Sequence, residues 1–131
     1  MKNSQKPGFR VSSRMKSFIH AWHGVAETAR KQHNFRIHLT ATAIVIAFGF
    51  YIGLSTTEWL AITLSIGFVL SLEMVNTAVE YLVDLISPEY HLIAGKAKDV
   101  AAGAVLVAAS TACIIGLIVF IPKIIRMFEN G

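Results

Sequence analysis

Apolar residues recur along this chain in two different rhythms. Between residues 11 and 34, Val11, Met15, Phe18, Ile19, Trp22, Val25, Ala26 and Ala29 return at the spacing of one helix face, while Arg14, Lys16, His23, Glu27, Arg30 and Lys31 fill much of the remainder. This pattern predicts an amphipathic surface helix lying on an anionic leaflet. Farther along, the apolar positions run together. Segments 37–54, 59–86 and 100–121 are each long enough to span a hydrocarbon core of about 30 Å. Glu58 and Trp59 suit a helix start at the water interface, and Pro88 and Pro122 are expected to end the second and third spans. Residues 87–99 read as a polar loop, and residues 1–10, with Pro7 and Gly8, as a disordered tail. The expectation is an all-α membrane protein with a surface helix (11–34) and three transmembrane helices, one domain over 11–123 followed by a short tail at 124–131.

Composition supports the membrane assignment: 54% of residues are hydrophobic and 15% charged, a balance that points to a membrane protein rather than a soluble one. The first thirty residues contain no apolar core followed by a small-residue cleavage site, so no removable signal peptide is expected. The net charge of +4 does not read as a nucleic-acid footprint, because most basic residues precede the first apolar segment, where a membrane surface explains them. Ten of the twelve Lys and Arg residues lie in the N-terminal segment and in 87–99, which three crossings place on one side. The positive-inside rule makes that side cytoplasmic, so the protein is expected in a bacterial inner membrane with its N-terminus inside. The single cysteine, Cys113, reads as a small packing residue.

One stretch of the second span departs from the apolar pattern. Glu73 is followed by Asn76, Glu80 and Asp84, offsets of 3, 7 and 11 that fall within a stripe roughly 80° wide on a helix. Each ionised group near a bilayer centre costs about 2.5–3.5 kcal/mol or more, so three carboxylates and an amide on one face point to a site. Depth separates their uses. Glu73 lies deepest, where desolvation favours a proton acceptor for a lipid hydroxyl; a carboxylate nearer the surface suits a divalent cation that keeps phosphate or water ligands. Lys96 and Lys98 either neutralise nucleotide phosphates or simply fix topology, and the chain has no P-loop. His20, His23, His33 and His38 lack the cysteine partners and spacing of a zinc site. Asn76 alone could serve a neighbouring helix, but packing does not require the whole stripe. Small residues such as Ala104 and Ala108 in the third span favour close helix approach, and oligomerisation is the expected way to bury the stripe.

The run Glu73-Met74-Val75-Asn76-Thr77-Ala78-Val79-Glu80, then Ser87-Pro88-Glu89-Tyr90-His91 and Ala97-Lys98-Asp99, resembles the signature of the prokaryotic diacylglycerol kinase family. The segments 34–39 and 115–123 are closer to its undecaprenol kinase branch. The resemblance implies a homotrimeric integral-membrane lipid kinase that transfers the γ-phosphoryl group of ATP, with Mg²⁺, to undecaprenol or diacylglycerol. It implies Glu73 as base, Asn76 as its support and Glu80 as metal ligand. It also implies Glu89, Tyr90, His91, Lys98 and Asp99 as nucleotide contacts, with His20 facing nucleotide and Trp22 facing lipid. One position departs from the family pattern: a metal-binding glutamate is replaced by Gln32, which keeps a carbonyl oxygen and loses the charge. Glu27 is not an obvious substitute. An alternative of a different class is an oligomeric cation or proton conduit lined by Glu73, Glu80 and Asp84.

Overall fold

The computed structural model describes residues 11–89 and 91–129; the expected N-terminal tail, Tyr90 and the last two residues lie outside the described residues. Four helices follow one another: α1 (Val11–Lys31), α2 (His33–Ile52), α3 (Thr56–Ile86) and α4 (Leu92–Glu129). By length and composition α2, α3 and α4 can each cross a membrane. The tight turn after α2 sends α3 back beside it, and α4 returns along α3, the most extensive pairing in the molecule.

The boundaries differ from the expected ones, each for a local reason. No proline or glycine marks the break between α1 and α2. Gln32 alone leaves helical geometry, at φ −93° and ψ 116°, so α1 ends at Lys31 and α2 begins at His33 rather than at 37. At its far end α2 closes on Gly53, whose φ of 70° is a conformation that side chains with a Cβ rarely adopt. The Leu54 N–H then reaches back to the Gly49 carbonyl at 3.2 Å. Helix α3 starts at Thr56, before the expected 59, because Ser55 and Glu58 form a capping box: the Ser55 N–H donates to Glu58 Oε2 at 2.6 Å and the Glu58 N–H to Ser55 Oγ at 3.4 Å.

Helix α4 is the largest correction. It begins at Leu92, not 100, so Lys96, Lys98 and Asp99 stand on a helix and not in a loop. The Ile93 N–H donates to His91 Nδ1 at 3.2 Å, which satisfies one of the donors that a helix start leaves open. Pro122 does not end the helix, which runs on through the expected tail to Glu129. A proline removes one backbone hydrogen bond, and here the next residue ties the helix down. Lys123 Nζ donates to the Gly53 carbonyl at 3.1 Å and pairs with Glu58 Oε2 at 3.1 Å, which brings the α2–α3 turn and the far end of α4 to the same side.

The buried apolar positions are Phe35, Ile62, Val69, Val105, Ala108 and Val119, while Phe18, Leu64, Leu85, Leu106, Ile118 and Phe128 face outward. Such an exterior suits hydrocarbon, not water. Of the small-residue pair on α4, Ala108 is used inside this chain, at 2% exposure, and Ala104 stands on the outer surface.

Candidate functional site

The acidic stripe exists as a graded series. Glu73 is 3% exposed and Asn76 7%, Glu80 is half-buried and Asp84 is open to solvent. One chain therefore buries the deep end of the stripe by itself and leaves the outer end, from Glu80 to Asp84, partly open. Thr77, also buried, turns its hydroxyl back to the Glu73 carbonyl at 2.9 Å and leaves the Glu73 carboxylate free of that donor.

Around Glu80 the side chains converge. Asn76 Nδ2 donates to Glu80 Oε1 at 3.2 Å, and Gln32 Nε2 donates to Glu80 Oε2 at 3.1 Å from 48 positions earlier in the chain. The residue that breaks the α1–α2 helix is thus the residue whose side chain reaches the stripe. Its own N–H remains bonded to the Thr28 carbonyl at 2.8 Å, so the break is small and well held. The Asn76 carbonyl oxygen Oδ1 is buried and has no hydrogen-bond donor. A buried acceptor left open is costly unless something electropositive meets it.

These donors fit a hard divalent cation of the magnesium type. Glu80 offers a carboxylate, and Gln32 and Asn76 each offer an amide oxygen once the amide turns over, an inversion that such side chains make with little change of shape. Among the described residues no three His, Cys, Asp or Glu side chains gather into a metal cage. One carboxylate with two amide oxygens matches a cation that arrives with phosphate and water already attached.

The other residues singled out from the sequence divide by position. Lys98 Nζ meets Asp84 Oδ1 at 2.5 Å, which places a cation of α4 against the outer end of the stripe. Glu89 and Asp99 are exposed, and the Glu89 carbonyl accepts from Ser87 Oγ at 3.1 Å. His91 is engaged at the start of α4, and Tyr90 lies outside the described residues. His20 and Trp22 stand exposed on α1, roughly 15–18 Å along the helix axis from Gln32, and do not join the Glu80 cluster within one chain. His20 packs edge-on against His23 with ring centroids 6.4 Å apart. Glu27 pairs with Lys31 at 2.8 Å and takes no part in the cluster. That ion pair raises the Lys31 pKa, chiefly through the hydrogen bond to Glu27.

Two features escaped the reading of the sequence. His38, set aside as a metal ligand, lies on α2 within electrostatic reach of Glu73. It also lines an open cleft of about 250 Å³ between α2, α3 and α4, with Val69 and Leu70 one turn before Glu73 on α3 and Cys113 and Phe120 farther out. Cys113 is an exposed wall residue there, not a packed one. The spacing of His38 from Phe35, three positions on one helix face, was the only available signal.

Residues 19–120 match the family model described as prokaryotic diacylglycerol kinase. The chain belongs to that family. It is a membrane lipid kinase, and the choice between kinase and conduit is thereby made. The undecaprenol kinase of Bacillus subtilis is 51% identical over 83% of this chain and 89% of its own length. A diacylglycerol kinase of Synechocystis sp. is 39% identical over 85% of this chain and 64% of its own length, and that of Haemophilus influenzae is 32% identical over 72% and 78%. The Glu80 cluster, the buried Glu73 and the Lys98–Asp84 contact all fall inside the matched span.

Proposed function

We propose that this kinase transfers the γ-phosphoryl group of ATP to the hydroxyl of a membrane lipid, with undecaprenol as the preferred acceptor and diacylglycerol as the second. The observation that carries the reading is the convergence of Gln32, Asn76 and Glu80 about 10 Å along α3 from a buried carboxylate, Glu73. Identity to the Bacillus subtilis undecaprenol kinase favours the polyprenol acceptor.

In this reading the lipid hydroxyl gives its proton to Glu73 as its oxygen attacks the γ-phosphorus. The bond to the β-γ bridging oxygen breaks, and ADP leaves. Such transfer depends mainly on placement and on stabilising charge. Glu80, with the amide oxygens of Gln32 and Asn76, would hold Mg²⁺, which supplies neutralisation of phosphate charge. Lys98, Asp99, Glu89, Tyr90 and His91 border the nucleotide at the membrane surface. The apolar cleft one turn before Glu73 offers hydrocarbon a place beside the reacting hydroxyl.

Orientation and assembly follow the same reading. The N-terminus and the start of α4 face the bacterial cytoplasm, where ATP is available, and α1 lies on that leaflet with Phe18 and Trp22 toward the lipid. The active species is a homotrimer in which α1 of one copy brings His20 and Trp22 to the site of another. Purified protein incubated with Mg-ATP and each lipid separately tests the acceptor: undecaprenyl phosphate is expected to form faster than phosphatidic acid. Failure to phosphorylate either lipid would reject the reading.

A further inference from the structure

Asp84 is the one member of the stripe that neither the metal cluster nor the proton acceptor uses. It stands one turn beyond Glu80, about 6 Å along α3, and its carboxylate holds Lys98 of α4 at 2.5 Å. The Lys98 and Asp84 side chains are 38% and 65% exposed, and an ion pair so open to water contributes little to folding. Stability therefore does not account for it, whereas placement does. A lysine amine ends four rotatable bonds and, left to itself, samples many positions. Held by Asp84, the ammonium stays about one turn of α3 beyond Glu80 and still has two N–H donors for phosphate oxygens.

We propose that Asp84 is a positioning residue that fixes the Lys98 ammonium beside the Glu80–Asn76–Gln32 cluster, where it receives the phosphates of the nucleotide. The inference rests on Lys98 as a phosphate contact and adds the group that aims it. The carboxylate acts only through Lys98 and does not touch the reacting atoms. Removing it lets the amine wander, so the loss falls on nucleotide binding and leaves acceptor binding alone.

The test uses the full chain in lipid vesicles, with steady-state kinetics in Mg-ATP at saturating acceptor and the reverse, and thermal unfolding alongside. Asp84→Asn should raise KM for Mg-ATP about two- to fivefold, the range an exposed ion pair can hold in place, and lower kcat far less, with KM for the lipid and the unfolding midpoint unchanged. Asp84→Glu should recover most of the loss. Lys98→Ala should raise KM for Mg-ATP at least as much, and the double variant should be no worse than Lys98→Ala, because the two residues act as one unit. An unchanged or lowered KM for Mg-ATP in Asp84→Asn, beside a raised one in Lys98→Ala, would overturn the positioning role alone. An unchanged KM in Lys98→Ala would overturn the phosphate role of Lys98 and the inference with it. Equal losses in lipid KM, nucleotide KM and unfolding midpoint would reduce Asp84 to a structural residue.

Discussion

Gln32 is the residue through which the break between α1 and α2 reaches the acidic stripe. Its amide reaches Glu80 at 3.1 Å, so an uncharged side chain at this position makes the contact. In the proposed reading, a site with one carboxylate instead of two holds Mg²⁺ more loosely. Gln32→Glu is therefore expected to lower the Mg²⁺ concentration at half-maximal activity, and Gln32→Ala to raise it several-fold; a magnesium titration at fixed ATP reads both. No difference among the three proteins would remove Gln32 from the metal site. The stripe from Glu73 to Asp84 was legible in the sequence because four polar positions obeyed one helical period inside an apolar run. The reach of Gln32 was not. It depends on a single non-helical residue between Lys31 and His33, with no proline or glycine to announce it, and on a partner 48 positions away. His38 was hidden for a related reason: its neighbour Glu73 is on another helix, and pairing across helices leaves no spacing to read.

At the level of the helices, the number of spans followed from apolar length, and the errors collected at the ends. Capping decided them. Ser55 and Glu58 begin α3 three residues before the aromatic interface signal, and His91 begins α4 well before the apolar run does. Pro122 read as a stop because its effect on the backbone is local and visible, while the Lys123 contacts to Glu58 and Gly53 that hold the helix together come from distant residues. The α2–α3 turn should be sensitive to small changes. Gly53→Ala is expected to destabilise by about 1 kcal/mol, because alanine must adopt a positive φ. Gly49→Val should do more harm: even the first added carbon would lie 2.9 Å from Leu54 Cδ1 and 2.9 Å from Trp59 Cη2. Ser55→Ala, which removes the cap, should cost about 0.5–2 kcal/mol. Thermal unfolding in detergent orders the three; a neutral Gly49→Val would show that the hairpin is looser than its packing indicates.

For the molecule as a whole, the outward apolar surface and the shared side of the α2–α3 turn and the far end of α4 define a three-span body with two chemically different ends. One end carries Glu58 and Lys123, the other Gln32, Glu80, Asp84 and Lys98. In the proposed orientation the basic N-terminal segment puts the second end in the cytoplasm. In a Cys113→Ala background, a cysteine at Thr57 should react with an impermeant maleimide added outside intact cells, and one at Lys96 should react only after lysis. The reverse pattern would invert the protein and separate the site from ATP. Cross-linking in native membranes should end at three chains if α1 completes the site of a neighbour. The proposed chemistry turns on Glu73, the carboxylate that α3 buries at 3% exposure about 10 Å from Glu80. Its most direct test is single-turnover phosphorylation of undecaprenol by purified Glu73→Gln in vesicles with Mg-ATP. A loss of about 10²–10⁴-fold in the chemical step with ATP binding retained is expected, as removal of a general base requires; a near-normal rate would exclude Glu73 as the base.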